Sequence, residues 1–173
     1  LIGGGGTDRI SSSLAGTDAA GQAGQSDTLT GGTGADTFAF AATSVTDAAT
    51  AKATLMAMSA GTTSIVRITD FVAGTDKVAL VAGTTAFTSA TVAAAQTIAT
   101  AASLTAVYAG MTAIAASTAT AASAVVLNVT AGAAAGTYLY VNDATAGVSN
   151  SADMLINITG ISGNLAAADF VFA

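Results

Sequence analysis

Four aspartates punctuate the start of the chain: Asp8, Asp18, Asp27 and Asp36, spaced ten, nine and nine residues apart. They follow small-residue stretches, "GGGGTD", "LAGTD", "AGQSD" and "GGTGAD". Carboxylates at regular spacing among glycines can bind a hard cation together with backbone carbonyls, cap turns, or pair for acid–base work. The rest of the composition narrows that choice. The chain has no His and no Cys, which removes thiol nucleophiles, disulfides, most zinc sites and every His-dependent triad. All ten acids are Asp, and oxygen donors of that kind suit calcium or magnesium.

Acid–base catalysis by an aspartate pair is not supported: "SDTLT" and "ADTFA" lack the glycine that follows Asp-Thr in aspartic proteases. No motif places an activating base beside a serine, so the chain is expected not to be an enzyme. Net charge is −6, with only four cations, Arg9, Lys52, Arg67 and Lys77. Nucleic acid is therefore not an expected partner, because phosphates need Lys and Arg to neutralise them. No run of about 18 strongly apolar residues is present, so no membrane insertion is expected. The chain begins at Leu1 inside a glycine-rich motif and reads as a piece of a longer protein.

The spacing resolves into a repeat. Residues 31–38, "GGTGADTF", and 3–10, "GGGGTDRI", fit the nonapeptide Gly-Gly-x-Gly-x-Asp-x-U, where U is large and apolar. "LAGTDAA" (14–20) and "AGQSDTL" (23–29) keep the aspartate and part of the frame. The loop half needs glycine because the backbone must take positive φ and turn its carbonyls inward. The x-U-x half is a short strand whose apolar residue, Ile10, Leu29 or Phe38, faces a narrow core. With two units per coil, Asp18 is expected to stack on Asp36 and Asp8 on Asp27. Coils stack about 4.8 Å apart. Two carboxylates at roughly 5 Å repel by about 3 kcal/mol at an effective dielectric near 20, so the loops should need a cation. Calcium fits best because it takes about six to eight oxygens in flexible geometry. A flexible linker or a phosphate loop is the alternative, although no Lys follows the glycines.

These units resemble the RTX repeats of type I-secreted bacterial proteins, which form parallel calcium β-rolls. The resemblance implies one ion between Leu14, Gly16, Asp18, Gly31, Thr33 and Asp36, and another between Gly4, Gly6, Asp8, Gln22, Gly24 and Asp27. The segment "ITDFVAGTDKVAL" (68–80) resembles the part that closes such rolls. There Asp70 and Asp76 either complete a last calcium site or cap turns.

Around this centre the expected fold is mainly β: a short parallel calcium β-roll over 1–42, then a β-rich C-terminal cap with Ala-rich helices over 43–173. Residues 43–61 suggest a short helix started by Thr46 or Asp47, with Ala51, Leu55 and Met58 on one face and Gly61 as its stop. Strands are expected over Ile65–Ile68 and "KVALV", with "VAGTD" as the turn between them. Spacing of Val92, Ala95 and Ile98 or Ala99, and of Leu104, Tyr108, Met111 and Ala115, fits amphipathic helices within a low-complexity stretch; disorder is the alternative. "AVVLNV", "TYLYVND" and "DMLINITG" read as antiparallel strands with one buried face. The end, "ADFVFA", resembles a type I export signal and equally reads as an edge strand. Asn128 and Asn157 fall in glycosylation-type triplets that chance explains.

The order of these parts resembles the C-terminal region of RTX-type surface-layer (S-layer) proteins of the Caulobacter kind. The resemblance implies a calcium-binding structural protein, secreted by type I export machinery to the cell surface and self-associating into a lattice. The alternatives are the export tail of a secreted protease or lipase, and an adhesin or biofilm filament subunit.

Overall fold

The computed structural model describes residues 1–13, 28–41, 65–80, 91–118, 123–141 and 154–172. The expected helix over 43–61 and the aspartates Asp18 and Asp27 lie outside them. The first described strands come in pairs joined by glycine–aspartate loops. They are β1 (Ile2–Gly5) with β2 (Arg9–Ser13), β3 (Thr28–Thr33) with β4 (Thr37–Ala41), and β5 (Arg67–Ile68) with β6 (Lys77–Leu80). Each pair forms one coil. Its first strand lies in one sheet and its second in another.

Coil stacks on coil in parallel: Gly4 pairs with Gly32, Arg9 with Thr37, Leu29 with Ile68, and Phe38 with Val78. The C-terminal strand β12 (Phe170–Phe172), preceded by a single 3-10 turn over Ala167–Asp169, continues the second sheet by pairing Phe170 with Val78. Among the described residues that sheet runs in the order β12-β6-β4-β2.

The other sheet turns antiparallel beyond the stack. There β11 (Met154–Asn157) joins β5 in parallel and β10 (Gly136–Val141) antiparallel, and β10 then pairs with β9 (Ser123–Val129). Two short strands, β7 (Thr91–Val92) and β8 (Gln96–Ile98), pair with β9 in parallel. The fold is thus mainly β. Strands from both sides of the expected boundary at residue 42 share the two sheets.

The helical expectation for Val92–Ile98 is replaced by these two strands. Thr91, Val92, Thr97 and Ile98 are β-branched, and their stiff χ1 suits a pleated surface better than a helix. The next spacing does give a helix, α1 (Leu104–Thr118). Ser103 starts it: its hydroxyl accepts a hydrogen bond from the Ala106 amide at 3.2 Å, and its carbonyl accepts from Val107. Gly110 lets the helix lie against Ile98, whose Cδ1 would be 3.0 Å from any Cβ placed there.

Two cores result. Ile10, Leu29, Phe38, Ile68, Val78 and Phe170 join Leu139 and Ile156 in one, between the sheets. Val107 and Met111 of α1 cover the reverse side, with Val125, Leu127, Tyr138 and Tyr140. Alternate residues of β10 therefore enter different cores, and the antiparallel strands are buried on both faces rather than the one expected. The Tyr138 hydroxyl resolves its own burial by donating to the Ala134 carbonyl at 2.8 Å, and desolvation raises its pKa above the ordinary 10.0. Among the described residues, no helix is long and apolar enough to cross a membrane.

Phe38 is fully buried, and its ring centroid lies 6.0 Å from that of Phe71. Phe38→Ala should cost about 3–5 kcal/mol in urea unfolding. Val171→Ala, at a position 41% exposed, should stay within about 0.5 kcal/mol. Similar losses at both would contradict the placement of the inter-sheet core.

Candidate metal centre

The loops between the two sheets carry the chemistry. In the first two coils the second and fourth loop positions are glycines at positive φ: Gly4 at 117° and Gly6 at 111°, Gly32 at 103° and Gly34 at 133°. Each loop lies on the one before it. A Cβ on Gly32 would collide with the Gly4 carbonyl oxygen, and one on Gly34 with that of Gly6. Glycine is therefore required twice over, for φ and for the backbone-on-backbone approach.

This double requirement explains the observed register. Ile2 pairs with Thr30 and Arg9 with Thr37, so the two coils are offset by 28 residues rather than the expected 18 or 19. Only the units ending at Asp8 and Asp36 have glycine at both positive-φ positions; the units between them carry Leu14, Ala23 and Gln25 at such places. The two complete units stack on each other.

As a result Asp36 follows Asp8 in the stack, and Asp76 follows Asp36. Each carboxylate grips the backbone of the coil before it. Asp36 Oδ1 accepts the Asp8 amide at 3.0 Å, and Asp76 Oδ1 accepts the Asp36 amide at 3.0 Å. Asp36 and Asp76 are only 1% and 3% exposed. Asp76 Oδ2 also accepts the Val72 amide at 2.8 Å, closing its own turn. Asp70 reaches back from the third coil to the second, its two oxygens accepting the Gly31 amide at 2.9 Å and the Gly32 amide at 2.7 Å.

Among the described residues, two carboxylate oxygens are left over. Asp8 Oδ2 and Asp36 Oδ2 are buried and receive no hydrogen bond. Each occupies space that a side chain would otherwise take. A Cβ on Gly3 would be 2.7 Å from both Asp8 Oδ2 and the Gly31 carbonyl oxygen, and one on Gly31 would overlap Asp36 Oδ2. An anionic oxygen without a donor is costly to bury. A hard cation satisfies it, so the residues present fit such an ion. Among the described residues no three acidic, His or Cys side chains form one cluster. An ion here would therefore draw on backbone carbonyls as well as the two carboxylates.

The expected ligands divide accordingly. Gly4, Gly6 and Asp8, half of one anticipated set, face Gly31, Thr33 and Asp36, half of the other. Leu14, Gly16, Asp18, Gln22, Gly24 and Asp27 lie outside the described residues. One further aspartate was not singled out from the sequence. Asp169, 1% exposed, accepts the Gly74 amide at 2.9 Å and the Ala166 amide at 2.9 Å, and its Oδ1 lies 3.4 Å from Lys77 Nζ. Its strand continues the second sheet by one step, with Asp169 aligned to Lys77 rather than to Asp76. The signal was the likeness of "ADFVF" (168–172) to "ADTFAF" (35–40), an aspartate leading into a short apolar strand.

Compared with models of protein families, with curated proteins and with solved structures, the chain has no significant match to any of them.

Two glycine substitutions should differ in cost. Gly74, at φ 83°, has open space where a Cβ would go, so Gly74→Ala should cost only the backbone term, about 1–2 kcal/mol. Gly32→Ala adds a collision with Gly4 and should lose clearly more in the same unfolding assay. Equal losses would contradict the close stacking of the first two loops.

Proposed function

We propose that this chain is a calcium-folded structural module from the C-terminal region of a type I-secreted, surface-layer-like protein. The observation that carries the reading is the pair of buried, donor-less oxygens, Asp8 Oδ2 and Asp36 Oδ2, on consecutive coils of a glycine–aspartate stack. The residues that would hold the ion are Asp8 and Asp36 with the carbonyls of Gly4, Gly6, Gly31 and Thr33. The Thr33 carbonyl already accepts the Gly6 amide at 2.8 Å and keeps a second lone pair. When bound, the ion neutralises two stacked carboxylates, and that is the whole of its chemistry here.

The chain's own residues do the rest. Glycines at positive φ form the loops, Asp36 and Asp76 tie each coil to the one before, and Ile10, Leu29 and Phe38 close the core behind them. No turnover is expected. In this reading the protein leaves a low-calcium cytoplasm unfolded through type I export machinery, meets millimolar calcium at the cell surface, folds, and self-associates into a lattice. The scarcity of charge, 8% of residues, and the richness in Ala and Thr favour a lattice protein over the export tail of a secreted enzyme.

Extracellular calcium modules bind with dissociation constants of about 10⁻⁴–10⁻³ M. Calcium at ten to a hundred times that value should stabilise the protein by about 1.4–2.7 kcal/mol, measured as a rise in unfolding midpoint over chelator-treated protein. Magnesium at equal concentration should do much less. Asp36→Asn keeps an oxygen for the Asp8 amide but removes the charge, and should abolish most of the calcium response. Light scattering on the same samples should grow with calcium if a lattice forms. A midpoint indifferent to calcium in the unmodified chain would sink the proposal.

A further inference from the structure

The two coil junctions of the stack are built differently. Between the first and second coils, glycine faces glycine: Gly3 lies opposite Gly31, and the register on either side pairs Ile2 with Thr30 and Gly4 with Gly32. The carboxylates of Asp8 and Asp36 lie against these two glycines, each with its Oδ2 unpartnered. Between the second and third coils, the register that pairs Leu29 with Ile68 sets Asp70 opposite Gly31. Its carboxylate takes both successive amides, Gly31 and Gly32. Consecutive amides with glycine at positive φ make a concave pocket for an anion, and here the protein supplies that anion itself.

Other groups at the second junction are also paired. Both oxygens of Asp76 accept amides. The hydroxyls of Thr30 and Thr69 hydrogen-bond at 2.8 Å, the Thr69 amide donates to the Leu29 carbonyl at 3.0 Å, and the Lys77 amide donates to the Asp36 carbonyl at 2.8 Å. A carboxylate that receives two backbone amides needs no cation to be buried. One that receives a single amide, as Asp36 does, leaves an oxygen for the ion.

We propose that the junction between the second and third coils is closed by the protein's own carboxylates and takes no ion, with Asp70 as the positioning residue that ends the calcium-dependent part of the stack. This rests on the calcium reading of Asp8 and Asp36. Coils two and three then hold together in chelator, and the first coil docks onto them only when calcium bridges Asp8 to Asp36.

Amide hydrogen exchange followed by NMR on the full chain, in chelator and in calcium, tests this. The amides of Gly31, Gly32, Asp36 and Val72 should be protected in both conditions. Those of Gly6 and Asp8 should gain about tenfold protection with calcium at ten times its dissociation constant. If both groups of amides become protected only with calcium, the calcium site stands and the metal-free junction is wrong. If neither group responds to calcium, the calcium reading itself fails and takes this inference with it. Asp70→Asn, which leaves an acceptor for only one of its two amides, should lower protection at Gly31 and Gly32 in chelator while Val72 keeps its own. Unchanged protection at Gly31 and Gly32 in that variant would remove Asp70 from the role assigned to it.

Discussion

Stacking like charges at the spacing of β-strands is the constraint on which the rest of the structure depends. Parallel coils bring equivalent residues within about 5 Å of each other, so an aspartate repeated in the loop is set beside its own kind at every step. The fold answers this charge mostly with backbone amides: Asp36 and Asp76 each accept one from the preceding coil, and Asp169 accepts one from Gly74. That answer works only if the loops lie directly on one another. It therefore demands glycine at Gly32 and Gly34, and it sets the register of both sheets. The hydrophobic alternation behind the loops follows, because Ile10, Phe38, Val78 and Phe170 occupy equivalent positions on successive strands of one sheet.

The remaining elements hold this stack in place. Beyond β5 the larger sheet turns antiparallel, and β9 and β10 are buried on both sides, by the inter-sheet core and by α1. Tyr138 and Tyr140 supply the bulk that the small side chains of the surrounding Ala-rich sequence cannot. The C-terminal strand closes the second sheet through Asp169, which is held by two amides and Lys77. The last apolar residues of the chain are thus integrated into the same parallel stack as its first coil.

Much of this was legible in the sequence, and the misses have physical reasons. Glycines and aspartates at fixed spacing identified the loops, because positive φ and inward carbonyls can be read from residue type alone. The short strands followed from single large apolar residues. Register was harder: a nine-residue period leaves open which copies pair, and it suggested neighbours one coil apart. The pairing of the Asp8 and Asp36 units follows from the completeness of their glycines, a comparison between units that the period does not contain. At Val92–Ile98 the apolar spacing fitted a helix, but β-branching at Thr91, Val92, Thr97 and Ile98 and the free edge of β9 favoured strands. Asp169 was obscured because a short acidic–apolar terminus also resembles an export signal.

The most direct test of the account is an anomalous-difference map from crystals of this chain grown in calcium or soaked with a lanthanide. A calcium-held stack gives a peak between Asp8 and Asp36, within about 2.3–2.6 Å of carboxylate oxygens and loop carbonyls. A map with no density there, and with Asp8 Oδ2 and Asp36 Oδ2 hydrogen-bonded to protein donors or water, would contradict it.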